Sequence, residues 1–144
     1  MEDDPRAPCF PIAGIRSVEL SVPDLAAAER FYTDVWGLTV ADRADGTLYL
    51  RGTGTDPYLV ALREGPVAID SVTWTAAEGT DLAAVHARLI SAGGSDATEV
   101  GPVALSGGGQ GFALRDPSGR TLRVVQGATP APRDSTSSID ALFV

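Results

Sequence analysis

Ile15-Arg16-Ser17-Val18-Glu19-Leu20-Ser21-Val22-Pro23-Asp24-Leu25 is the stretch on which the fold turns. From Ile15 to Val22 it alternates, with Val18, Leu20 and Val22 facing one way and Ser17, Glu19 and Ser21 the other. That predicts a strand with one face packed on apolar side chains. Pro23-Asp24 ends the strand and opens a helix, because Asp24 can accept the free amides of a first turn. Leu25, Ala28, Tyr32 and Val35 recur at helical spacing and predict the face that lies on the sheet. Gly37 supplies the left-handed residue that closes the helix. Short strands are predicted over 38–43, 47–51 and 58–63, the first two joined by the Asp45-Gly46 turn.

The same plan returns in the second half. Residues 69–75 alternate, with Val72 and Trp74 opposed by Ser71 and Thr73. Thr80 and Asp81 can cap a helix with Leu82, Val85 and Leu89 on its apolar face, stopping at Gly93-Gly94. Strands are predicted over 103–105, 111–115 and 121–125, the last two joined by the turn Asp116-Pro117-Ser118-Gly119. Residues echo as well: Ser17-Val18-x-Leu20 matches Ser71-Val72-x-Trp74, and Leu25-Ala26-Ala27 matches Leu82-Ala83-Ala84. The expected fold is α+β: two βαβββ repeats, about 14–65 and 68–126, with curved mixed sheets forming a cup and helices on the outer faces. The domain is expected to span 14–127, after a disordered leader (1–13). A Pro/Ser/Thr-rich, linker-like tail (128–144) follows and ends in the apolar residues Ile139, Ala141, Leu142, Phe143 and Val144.

The 144 residues suit one domain, and their net charge of −8 makes phosphate backbones and anionic membranes poor partners. Every positive charge is arginine, so Schiff-base chemistry and a phosphate-loop lysine are excluded. Cys9 is single and cannot close an internal disulfide. No apolar run is long enough to span a bilayer, and the acidic, proline-broken start is unlike a signal peptide, so a cytoplasmic location is expected. Ser106-Gly107-Gly108-Gly109-Gln110-Gly111 precedes a strand instead of opening a helix, and is read as a flexible loop.

Three segments together, Val18-x-Leu20-x-Val22-Pro23-Asp24-Leu25, Phe31-Tyr32-x-Asp34-Val35-x-Gly37-Leu38 and Asp116-Pro117-x-Gly119, resemble the vicinal oxygen chelate superfamily. That group includes glyoxalase I, bleomycin- and fosfomycin-resistance proteins and type I extradiol dioxygenases. Tyr49-Leu50-Arg51 and the long loop to Tyr58 are most similar to the amino-terminal module of two-module extradiol dioxygenases. The resemblance implies a cup with four metal-ligand positions, which fall here on Ser17, Tyr58, Ser71 and Arg123. None of these is a usual ligand for iron, zinc or manganese, and a guanidinium puts positive charge where a cation would sit. A two-His-one-carboxylate iron site is also excluded by count, because the chain has only His86, a boundary residue of the second helix.

No metal, cofactor or catalytic residue is therefore expected. The ligand-binding cup is assigned to Ser17, Glu19, Tyr58, Ser71, Thr73 and Arg123, with a hydrogen-bonded Glu19–Arg123 ion pair inside it and Val60 and Leu62 pointing in. The cup is compatible with two states, one filled by that pair and one open to a small aromatic or cationic molecule. The resemblance implies a non-catalytic module or small-molecule-binding relative of ring-cleaving dioxygenases, enzymatic only as part of such an enzyme. The alternative is a dimeric, bleomycin-resistance-type sequestering protein. In either case the partner covering the cup is a second copy or a second module.

Overall fold

Two copies of one unit lie side by side in the computed structural model of the chain, which describes residues 11–131. The first unit runs β1 (Ile12–Val22), α1 (Leu25–Arg30), β2 (Thr39–Ala44), β3 (Thr47–Arg51) and β4 (Val60–Glu64). The second runs β5 (Ala68–Ala76), α2 (Leu82–Ser91), β6 (Gly101–Pro102), β7 (Gln110–Arg115) and β8 (Thr121–Gln126). All eight strands join one curved, open mixed sheet in the order β2-β3-β4-β1-β5-β8-β7-β6. In each unit the last strand lies parallel beside the first, and β1 meets β5 antiparallel at the centre. The sheet therefore reads alike outward from a β1–β5 seam, as a repeated βαβββ plan requires.

Both helices begin as their caps dictate. Asp24 accepts from the Ala27 amide at 3.0 Å, and Asp81 accepts from Ala83 and Ala84 at 3.0 and 3.4 Å. Each helix seals one half of the core on the outer face. Val18, Leu20 and Val22 join Leu48, Leu50, Val60 and Leu62 beneath Leu25, Ala28 and Tyr32. Leu82 and Val85 of α2 pack on Ala76, Phe112, Leu114 and Val124. The opposite face forms the cup, where Tyr49, Tyr58 and Ala61 cluster with Leu105.

Several expectations shift. Val60 and Leu62 do not point into the cup: β4 runs parallel to β1 with Val60 beside Val18 and Leu62 beside Leu20, so they share the helix face and Ala61 takes the cup face. The first helix tightens onto the sheet only as far as Tyr32, because Phe31–Val35 form a π-helical turn. The extra residue per turn rotates Val35 outward to 71% exposure, although Gly37 still closes the segment at φ +82°. β1 begins at Ile12 instead of Ile15, held by the pairing of Ile12 with Ala76, so residues 12 and 13 of the expected leader are strand. β6 forms at Gly101–Pro102, ahead of the expected 103–105, because Gly111 and Gln110 offer partners there. Residues 1–10, with Cys9, and residues 132–144, with the apolar terminus, lie outside the described residues. No helix among the described residues is long and apolar enough to cross a membrane.

Candidate functional site

Strand register assembles the cup. The antiparallel seam sets Ser17 opposite Thr73 and Glu19 opposite Ser71, and parallel pairing sets Arg123 beside Thr73 and Ala61 beside Glu19. Directly opposed residues share a face with their side chains about 5 Å apart, which is hydrogen-bonding reach for short polar groups. Tyr58 enters from the segment before β4 and is fully buried.

These side chains converge on one carboxylate. Glu19 Oε2 accepts from Ser17 Oγ at 2.7 Å and Tyr58 OH at 3.2 Å. Glu19 Oε1 accepts from Ser71 Oγ at 2.6 Å and Thr73 Oγ1 at 2.7 Å. Ionised carboxylates offer about four lone-pair directions, so hydroxyl donors fill the acceptor capacity of Glu19. Arg123 Nη1 stands 3.7 Å from Glu19 Oε1 and donates instead to Ser71 Oγ at 3.3 Å. The expected Glu19–Arg123 pair thus exists as an ion pair, but its hydrogen bonding runs through Ser71. The short hydroxyl side chains, fixed close to the strand backbones, occupy the oxygens that a direct bond would need.

All six residues assigned to the cup meet here, and the structure adds two more. A register shift between Ile15 and Ser17 bulges β1 at Arg16, so Arg16 and Ser17 are both buried. The Arg16 guanidinium lies over the Tyr58 ring, 5.1 Å from its centroid. Among the described residues none of its three nitrogens has a hydrogen-bond partner, although Arg16 is only 4% exposed. Tyr49 packs edge-on against Tyr58 with centroids 4.8 Å apart. Burial pushes the Tyr58 phenol above its ordinary pKa, and the Glu19 charge adds to this against the opposing pull of Ser17 and Arg16. Burial also raises Tyr49, with Asp42, Asp45 and Glu19 adding and the Ser106 amide opposing. Strict alternation places Arg16 on the helix face, so only the bulge, which leaves no mark in the residue pattern, could reveal it.

Arg123 separates two hollows. One, of about 180 Å³, opens beside Glu19, Ser71 and Thr121; the other, of about 270 Å³, is walled by Val103, Ala104, Leu105 and Ala113. His86 takes no part: its Nε2 pairs with the Thr98 carbonyl oxygen at 2.9 Å and its ring stands edge-on to Phe112. Among the described residues no three His, Cys, Asp or Glu side chains gather as a metal site.

The family model of the glyoxalase/bleomycin resistance protein/dioxygenase superfamily matches residues 14–124, and the chain belongs to that superfamily. No curated protein matches the chain in sequence. Among solved structures, the Mn(II)-bound glyoxalase from Novosphingobium aromaticivorans is similar at 26% identity and a TM-score of 0.78, over 86% of this chain and 42% of that one. Homoprotocatechuate 2,3-dioxygenase from Brevibacterium fuscum, in its complex with 3,4-dihydroxyphenylacetate, matches at 24% identity and a TM-score of 0.76, over 96% of this chain and 43% of that one. The same enzyme from Arthrobacter globiformis matches at 24% identity and a TM-score of 0.74, over 90% and 40%. The two dioxygenases show likeness of fold alone. The chain spans about two fifths of the length of these structures.

Proposed function

We propose that this chain is an extradiol-dioxygenase-like module with no resident metal, working as a non-catalytic, small-molecule-binding relative of ring-cleaving enzymes. The observation that carries this reading is the Glu19 carboxylate held by Ser17, Tyr58, Ser71 and Thr73. Three of these, with Arg123, stand at the positions that the family resemblance gives to metal ligands. A resident cation needs lone pairs aimed at it, whereas here the hydroxyl protons are directed at a carboxylate and Arg123 adds fixed positive charge. The donor set does not fit iron, zinc or manganese, so no reaction step is routed through a metal. A partner module or second copy covering the cup belongs to the same reading.

Elemental analysis of untagged protein, grown with excess iron and manganese, tests it. Less than stoichiometric metal is expected, together with no ring-opened product from 3,4-dihydroxyphenylacetate and added Fe(II). One tightly held metal per chain within the cup would overturn the reading. The sequestering alternative with a cationic guest has less support, because the Arg123 guanidinium lines both hollows beside a carboxylate that is already satisfied.

A further inference from the structure

The two hollows in the cup are each small for a ligand site. They hold about 180 and 270 Å³, below the roughly 300 Å³ at which ligand pockets begin. Leu105 and Arg123 are the side chains that line both, so they form the wall between them. Leu105 is a loop residue of the second repeat, yet it reaches across to pack on Tyr49, Tyr58 and Ala61 of the first. Its loop is the tip of a hairpin, based on the pairing of Gly101 with Gly111 and Pro102 with Gln110. Within the tip, the Val103 amide donates to the Gly109 carbonyl at 2.9 Å, and the Gly108 amide donates to the Leu105 carbonyl at 3.0 Å. Outward, the tip is held by the Leu105 contact, by the Thr129 amide donating to the Gly107 carbonyl at 2.9 Å, and by the Ser106 amide at the Tyr49 phenol. Gly108 and Gly109 lead back into β7 at φ +61° and +88°, backbone that glycine bends with little steric cost.

We propose that residues 103–109 form a lid: the hairpin tip swings off the cup, carries Leu105 out of the wall, and joins the two hollows into one cavity of ligand size. This rests on the small-molecule reading above and gives the cup its entrance. A segment held by one partly buried apolar side chain and a few backbone bonds opens without unfolding the rest of the domain. The remainder of the wall, Arg123, is a long side chain that donates to Ser71 Oγ at 3.3 Å and can fold to one side. The segment after β8 is the latch. Thr129 holds Gly107 of the second repeat, and the Ala131 amide donates to the Thr55 carbonyl of the first at 2.9 Å, so residues 129–131 pin the tip across both repeats.

The test is the labelling of a thiol placed beneath the lid of the full chain, in a Cys9→Ser background where it is the single thiol. Ala61→Cys suits, because Ala61 is 3% exposed, packs with Leu105 and lines the smaller hollow, which has room for the sulfur. Dithiodipyridine, a two-ring disulfide reagent, should label it at a rate nearly flat in low urea, as an opening that exposes little surface requires. Thr129→Pro removes the donor of the latch and should raise that rate about three- to tenfold, the weight of one net hydrogen bond. If Ala61→Cys does not fold, amide exchange in the wild type reads the same event. The Thr129 and Ser106 amides should then exchange together, while those of Val103 and Gly108, bonded within the tip, stay protected. Labelling that climbs with the full urea slope of unfolding, or that ignores Thr129→Pro, overturns the lid, and so does one common exchange rate for all four amides. Neither readout uses a ligand. A lid that fails leaves the small-molecule reading with two separate hollows, whereas a lid that opens stands even if no small molecule binds.

Discussion

Replacing Glu19 with leucine removes the one acceptor that four buried or partly buried hydroxyls share. A hydrogen bond to a charged group contributes about 1.5–3 kcal/mol net, and a buried donor left without a partner costs about 1–3 kcal/mol. These losses do not add, because Ser17, Ser71 and Thr73 can rotate to bond one another. Burial of leucine also returns about 1.5–3 kcal/mol. We therefore expect Glu19→Leu to cost about 3–5 kcal/mol, the range for removing one partner of a buried charged set. Glu19→Gln keeps an acceptor oxygen and loses the charge, so about 1–3 kcal/mol is expected. Arg123→Leu should cost about 1 kcal/mol or less, since Arg123 is 3.7 Å from the carboxylate, bonds it only through Ser71 and keeps part of its side chain in water. Urea unfolding at neutral pH, with slopes that agree among the variants, reads all three values. The reasoning is refuted if Glu19→Leu lies within about 1 kcal/mol of wild type, or if Arg123→Leu costs as much as Glu19→Leu.

Alkali should unfold the protein through Tyr58 and Tyr49. Their folded pKa values are raised, so the unfolded chain loses these protons first, and stability is full below about pH 10 and falls as pH rises above it. Phenolate absorbance against pH, set beside unfolding free energies, checks this; stability flat across that range contradicts it. Gly111→Ala should cost about 3 kcal/mol, because an added Cβ would stand 2.3 Å from the Val124 carbonyl oxygen, a backbone atom of the adjacent strand. A variant with an unchanged urea midpoint shows that β7 and β8 can part without loss. Sedimentation should detect self-association through the exposed Phe31, Val35 and Trp36. A specific dimer would bury at least about 1,200 Å² and be weakened by Trp36→Glu; a monomer at all concentrations removes the dimer from the reading.

The repeat and the strand faces could be read from the residues because alternation and capping are local. Val18, Leu20 and Val22 pack where their spacing puts them, and Asp24 and Asp81 cap as their positions require. Ser17, Ser71 and Thr73 were legible as cup residues for the same reason. Three features were not. The parity of β4 depends on which residue pairs with Val18, and that is a long-range choice that reversed Val60 and Leu62. The π-helical turn shifts Val35 by one residue without a glycine or proline to announce it. The bulge at Arg16 turns a charged side chain inward, which no alternating pattern can anticipate.

The β1–β5 seam should also order events in time. Each repeat closes its own parallel pair, but Glu19 and Ser17 arrive from one repeat and Ser71 and Thr73 from the other. The carboxylate can be satisfied only after the halves have docked, so the polar centre should be the last part of the molecule to mature, behind the two helix-covered cores. The tryptophans divide the chain usefully for watching this. Trp36 belongs to the first repeat, whereas Trp74 sits in the seam opposite Ile15. In refolding followed by fluorescence, a Trp36→Phe chain should report docking and a Trp74→Phe chain the earlier closure of the first repeat. Identical rates from the two chains would mean that both halves and their shared centre condense in one step.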